Sequence, residues 1–240
     1  MKRIADVTIV PLVQYVLTRM RIPQDLTFSD GSSSRYSVPS EVVRRAIADS
    51  ADYAESHMRE ALCIRGGKEE LWRHAFIARA AAGLIVEFGV FRGESIRFFA
   101  SLTKETIYGF DSFEGLREDW KGWAAPKGTF DMAGAPPPVP SNVTLVKGWF
   151  HESLPVFLRG HREPFSFVHI DCDTYEAAST ILAAAADRFR PGTVVVFDEY
   201  FGYRGWREGE LKAWREFVAA RGLSYRYLAF HDQAVALTVT

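Results

Sequence analysis

Only two cysteines, Cys63 and Cys172, occur in the 240 residues, and they lack metal-ligand spacing. That excludes a disulfide framework and a cysteine-based zinc site, and points to a reducing, cytoplasmic setting. Cys172 lies in an apolar stretch where a small buried thiol is expected. No apolar run approaches the roughly 18 residues of a membrane-spanning helix, so no membrane association is expected. The opening MKRIADVTIVPLVQYVL is broken by Asp6, Pro11 and Gln14 and has no small-residue cleavage site, so it does not read as a signal peptide. Charge of one sign is lacking too: 29 Lys plus Arg face 30 Asp plus Glu, with no dense basic block. A nucleic-acid partner is excluded on that ground. There is no GxxxxGK[ST], which argues against a P-loop nucleotidase. G-x-S-x-G is also absent, so covalent acyl chemistry has no support.

What is present is ordinary globular composition, 48% hydrophobic and 25% charged. The length favours one α/β domain with added elements. Residues 1–82 read as an N-terminal arm with helices that would serve as a lid, a substrate-side element or an oligomer contact; residues 83–240 read as the catalytic unit. GSSS at 31–34 marks a turn. Ser40, after Pro39, is expected to cap a helix carrying Val43, Ile47, Ala51, Ala54, Met58 and Leu62 at helical spacing, stopped by Gly66 and Gly67. A second helix is expected over 68–82.

Beyond it, strand and helix alternate. Continuous apolar runs at 84–88, 106–110, 143–146, 165–170 and 193–197 suit strands buried on both faces of a parallel sheet. Helices are expected at 94–102, 152–159, 174–189 and 207–221, and a terminal antiparallel hairpin at 223–230 and 234–240. Residues 116–141 and 200–210 resist regular assignment, and loops of that length are usually lids or binding loops. Trp120, Trp123, Trp149 and Trp206 fall in or near such loops, where an aromatic ring either stacks on a planar ligand or packs.

The stretch GLIVEFGVFRGES, residues 83–95, turns from a strand through Gly89 and Gly93 into a helix. Glycines let a backbone approach a ligand, and a helix start offers free N–H groups. The spacing is not GxGxxG, so a plain structural turn is an equal reading. Asp111 ends the next strand, where an acid can accept from ribose hydroxyls or cap the turn that follows. Asp171 ends the strand FSFVHI, and Asp198 with Glu199 end TVVVF. Adjacent parallel strands would bring these three carboxylates together, and a divalent ion such as Mg²⁺ would relieve their repulsion. Asp173 matches a capping pattern with Glu176. His169 reads as a core histidine. His151 is placed to approach a ligand from a helix start, whereas His57, His74, His161 and His231 carry no pattern.

In order, VEFGVFRGESI, YGFDSFEGL, VKGWFHESLP, FVHIDCDTYEA and PGTVVVFDEY resemble the macrocin O-methyltransferase (TylF-like) family of class I S-adenosylmethionine-dependent methyltransferases. The resemblance implies a Rossmann-like α/β fold: a seven-stranded, mostly parallel sheet with a terminal antiparallel strand, here with a helical N-terminal extension. It implies that Glu87, Gly89, Arg92, Gly93 and Ser95 surround the cofactor's methionine part, that Asp111 and Ser112 hold its ribose, and that Gly148, Trp149 and Phe150 border its adenine. Asp171, Asp198 and Glu199 match the family's metal ligands, with Glu199 standing where members often have aspartate. The implied reaction is Mg²⁺-assisted O-methylation of a hydroxyl on a sugar or other natural-product molecule, with Asp171 or His151 accepting the proton. Two other readings stay open: a nicotinamide-dependent oxidoreductase, which leaves the acidic cluster unexplained, and a non-catalytic methyltransferase-like binding module. A homo-oligomer through the N-terminal helices is possible.

Overall fold

A computed structural model of the chain describes residues 37–79, 82–120, 122 and 125–240. Most of the N-terminal arm, with GSSS, lies outside the described residues, as does Trp123. The first described helix, α1, spans Val38–His57 and is capped by Ser37, whose hydroxyl accepts from Ser40 N at 3.4 Å. The cap is therefore Ser37 and not Ser40. Pro39 is accommodated in the first turn, where its missing N–H costs nothing. The helix also stops earlier than its apolar spacing suggested. Met58 folds into the core, and Leu62–Cys63 form a two-residue strand, β1, that pairs in parallel with a C-terminal strand through Leu62 and Ala229.

Helix α2 spans Lys68–Ala78 and ends short of 82, because Arg79 turns extended. From there the alternation holds: β2 Leu84–Phe88, α3 Glu94–Leu102, β3 Ile107–Asp111, β4 Val143–Lys147, α4 Phe150–Gly160 and β5 Phe165–Ile170. Next come α5 Tyr175–Ala184, β6 Val194–Phe197, α6 Glu210–Arg221, β7 Tyr225–His231 and β8 Ala234–Val239. The run expected as one helix over 174–189 divides into α5 and a 3₁₀ turn at Ala186–Arg188, and a second 3₁₀ turn at Trp206–Glu208 precedes α6.

The strands make one sheet in the order β1-β7-β8-β6-β5-β2-β3-β4. All seven expected strands are present, and β1 adds an eighth. Among the described strands only β8 runs antiparallel to its neighbours, β6 and β7. Alternate residues of each strand feed two cores. Val86, Phe88, Val168 and Ile170 pack with Leu154, Ile181 and Trp214 on one face; Ile85 and Phe167 pack with Leu71, Trp72, Ile96 and Phe99 on the other. Burying each such large apolar side chain contributes about 1.5–3 kcal/mol. Among the described residues no helix is long and apolar enough to cross a membrane.

The topology also fixes where a ligand can sit. From β2 the chain runs outward through β3 and β4, and from β5 it runs the other way through β6. The reversal lies between β2 and β5, and their C-terminal ends open a crevice there. Gly89, Asp111, Asp171 and Asp198 all follow or end these strands.

Candidate functional site

The β2–α3 turn is built by its neighbours. Gly89 has φ 90°, and a Cβ on it would lie 1.7 Å from the Asp171 carbonyl oxygen. Two strand ends therefore touch backbone to backbone, and only glycine fits between them. Asp111 holds the rest of the turn. Its Oδ2 accepts from the N–H groups of Val90 and Phe91 at 2.8 and 2.7 Å, and its Oδ1 accepts from Phe113 N at 2.7 Å. These bonds keep Phe91 and Phe113 at φ 45° and 61°, unusual for phenylalanine. A carboxylate offers about four lone-pair sites, so Asp111 retains roughly one for a ligand hydroxyl. Gly93 has φ 78° and begins α3 without a side-chain cap.

Behind the turn runs a buried polar chain. Glu87 and His169 are paired in register across β2 and β5, and both are wholly buried. Ser95 Oγ donates to Glu87 Oε1 at 3.0 Å, and Glu87 Oε2 lies 3.0 Å from His169 Nδ1. His169 Nε2 in turn stands 3.6 Å from Asp198 Oδ1, ion-pair distance but beyond a hydrogen bond, and Lys68 from the start of α2 donates to Asp198 Oδ2. Burial acts to lower the His169 pKa, but Asp198 and Glu87 on either side raise it to about 10, which favours the imidazolium form. Burial raises the Glu87 pKa, with His169 opposing. Asp198 is held below its ordinary value because His169 and Lys68 outweigh its burial. His169 is thus a core histidine, as its strand position suggested, and also stands between two carboxylates.

A second set of acids faces the crevice. One oxygen each from Asp171, Asp173 and Glu199 lie within 4.8 Å of one another, and His169, Asp171 and Asp198 form a similar group. Burial, then the Asp198 charge, pushes the Asp171 and Glu199 carboxyls well above their ordinary values and Asp173 to about 7. Glu199 Oε2 and Asp198 Oδ1 are buried with no hydrogen-bond partner. Asp173 does not cap α5: it sits at φ 67°, and the cap is Thr174, whose hydroxyl accepts from Ala177 N at 3.2 Å. That frees the Asp173 carboxylate for the cluster. Glu210, wholly buried at the start of α6, accepts from Glu199 N through Oε2 at 3.2 Å.

These elements enclose a cavity of about 370 Å³, a size typical of small-molecule sites. Of the residues expected around a cofactor, Gly89, Asp111, Ser112, Gly148, Trp149 and Phe150 line it. Glu87, Arg92, Gly93 and Ser95 do not: Glu87 and Ser95 lie behind its wall, and Arg92 is turned to the Phe91 ring, 5.0 Å from its centroid. All three expected metal ligands line it, together with Asp173 and Lys68. The loop at 116–141 contributes Leu116, Arg117, Trp120 and Phe130 to the cavity wall. His151 also lines the cavity, but its Nδ1 faces Arg117 Nη1 at 3.0 Å. Because an arginine is always a donor, that nitrogen already has its proton partner. Trp206 is buried packing.

Lys68, Asp173 and Glu210 were not singled out as site residues from sequence. Lys68 follows a Gly-Gly pair more than a hundred residues from its partner, and no local pattern announces it. Glu210 reads as an ordinary first-turn acid. Asp173 was visible, but its capping pattern with Glu176 concealed it.

Comparison with known proteins agrees with this architecture. Residues 86–200 match the family described as "Methyltransferase domain". Among solved structures, the O-methyltransferase NovP is similar at 18% identity and a TM-score of 0.54, covering 71% of this chain and 76% of its own. CalS11, a calicheamicin methyltransferase, is similar at 21% identity and a TM-score of 0.51 over 99% of this chain and 98% of its own. The apo structure of CalS11, described as a TDP-rhamnose 3'-O-methyltransferase, gives 21% identity and a TM-score of 0.53 over 88% and 98%. No curated protein sequence gives a match. The chain has the Rossmann-like fold of these methyltransferases, and its section from 86 to 200, which carries the Asp111 turn and the acidic cluster, is similar to a methyltransferase domain.

Proposed function

We infer that the protein is an S-adenosylmethionine-dependent methyltransferase acting on a hydroxyl group of a sugar or other natural-product molecule, in the manner of the TylF-like enzymes its motifs resemble. The observation that carries this reading is one cavity with two walls of different chemistry: the turn held by Asp111 on one side, and Asp171, Asp173 and Glu199 on the other. The names of NovP and CalS11 as O-methyltransferases support oxygen as the acceptor atom.

The residues fit both groups. For the cofactor, Asp111 has capacity for a ribose hydroxyl, and Trp149 and Phe150 supply aromatic wall for a planar base. Bound there, S-adenosylmethionine would supply an electrophilic methyl carbon on sulfonium. For a metal, Asp171, Asp173 and Glu199 offer oxygen donors with raised pKa values and one orphaned oxygen, the donor set a hard cation takes. Mg²⁺ held there would supply a Lewis acid that lowers the pKa of a neighbouring hydroxyl. Asp198, engaged by Lys68 and flanked by His169, belongs to the support of this set more than to its open face.

The chain's own residues do the remaining work. The rigid turn at Gly89 and the carboxylates at the ends of β5 and β6 would hold the acceptor oxygen beside the methyl donor, and such positioning supplies much of the rate. Asp171 would accept the proton of the acceptor hydroxyl, directly or through water. His151 is less suited to that role, since Arg117 occupies its Nδ1.

Isothermal titration of the full chain with S-adenosylhomocysteine, NAD and MgCl₂ tests the reading. Expected is one S-adenosylhomocysteine site per chain, no NAD binding, and a Mg²⁺ heat that Glu199→Gln weakens at least tenfold. Binding of NAD without S-adenosylhomocysteine would favour an oxidoreductase and overturn the proposal.

A further inference from the structure

A second cavity, about 620 Å³, lies beside the first. The two share three lining residues, Lys68, Asp198 and Glu199. The two cavities therefore adjoin at these three side chains. The apolar walls of the second come from Ile47, Ala51 and Ala54 of α1, from Ile64 after β1, and from Phe201 and Phe230 near the ends of β6 and β7.

Part of the polar lining is already paired, while Asp198 Oδ1 and Glu199 Oε2 at the junction have no hydrogen-bond partner. Lys68 is paired with Asp198, and His231 has Nδ1 3.0 Å from Ile64 O and Nε2 3.4 Å from Asp232. Ser50 donates to Ala46 O and accepts from Gly202 N. Against the acids Asp198, Glu199 and Asp232, the described lining holds no lysine or arginine besides Lys68. Among the cavity's described side chains a diphosphate would meet one ammonium, already paired, against three acids, a balance that disfavours such ligands. A neutral molecule meets apolar wall and, at the junction, an ammonium with donors beyond the one Asp198 accepts.

Resting on the methyltransferase reading above, we propose that the second cavity is the acceptor site, that it takes an uncharged and largely apolar hydroxyl compound rather than a nucleotide-linked sugar, and that Lys68 marks the junction where the acceptor oxygen enters the first cavity.

The test is isothermal titration of the full chain, with and without saturating S-adenosylhomocysteine, using 2-naphthol as a neutral hydroxyl probe and thymidine diphosphate as the anionic one. Ile47→Trp and Ala51→Trp, both on the exposed side of α1, fill the cavity without disturbing the core, and thermal melts confirm that each variant folds. Expected is 2-naphthol binding to wild type, weakened at least tenfold in both variants, with S-adenosylhomocysteine affinity changed less than twofold and no displacement by thymidine diphosphate. Equal 2-naphthol affinity in wild type and both variants, absence of 2-naphthol binding, or displacement by thymidine diphosphate overturns the proposal. Failure of S-adenosylhomocysteine to bind is a separate result that counts against the methyltransferase reading, since the probe titration without it still reports on the cavity.

Discussion

Lys68 and Asp198, 130 positions apart, are joined by an ion pair that ties the start of α2 to the end of β6. Asp198 is 3% exposed while Lys68 is 44% exposed, so solvent screens one partner and not the other. Lys68→Met is expected to destabilise the chain by roughly 1–2 kcal/mol, less than for a wholly buried pair. Because it also removes a positive charge from the acidic cluster, added MgCl₂ should restore more stability to the variant than to wild type. Urea melts in EDTA and in MgCl₂ measure both; an equal Mg²⁺ effect in the two proteins would contradict the expectation.

Stability should fall as pH rises from about 5 to 9 in the absence of metal. Asp173 goes from an ordinary 3.8 to about 7, raised by burial and then by the Asp198 charge. His169 goes from 6.5 to about 10, its burial outweighed by Asp198 and Glu87. Both groups bind protons more tightly when folded. Their contribution is fully present below the unfolded values and is lost as pH passes through the folded ones, first near 7 and then near 10. Thermal melts in EDTA across this range test the sign. MgCl₂ should lift the alkaline arm, since a cation binds deprotonated carboxylates.

Gly89→Ala should damage the fold rather than ligand affinity alone. Its Cβ would stand 1.7 Å from the Asp171 carbonyl, at φ 90°. Overpacking of this kind costs about 1–3 kcal/mol and the strained backbone roughly as much again. A melting temperature equal to wild type, with S-adenosylhomocysteine binding lost, would assign this glycine to the ligand alone.

Asp111→Asn replaces one oxygen that accepts backbone N–H groups with a donor. The turn at Val90–Phe91 or the bond to Phe113 must then open. S-adenosylhomocysteine affinity is expected to fall at least tenfold, with a stability loss of about 1–3 kcal/mol. Calorimetry and urea melts on one preparation separate the two effects.

The parallel strands were legible in the sequence because each is a short apolar run between polar residues, and sheet order then brings Asp111, Asp171 and Glu199 to one edge. The elements that were misplaced depend on distant partners. Leu62 continues the helical spacing of α1, yet Ala229 draws it into the sheet. Ser40 stands after proline as a cap would, but the helix begins before it. Asp173 fits a capping pattern, and Thr174 displaces it by supplying the hydroxyl. Within the site, Glu87 and Ser95 followed from resemblance as cofactor contacts. Register places them instead behind the cavity wall, where they hold His169 and through it Asp198.

A crystal structure of the full chain with S-adenosylhomocysteine and MgCl₂ tests the central claim most directly. The expected result is ligand density in the cavity between the Asp111 turn and Asp171, with a metal on oxygens of Asp171, Asp173 and Glu199. Density for the ligand elsewhere, or a crevice without it at saturating concentration, would contradict the assignment of this cavity to the methyl donor.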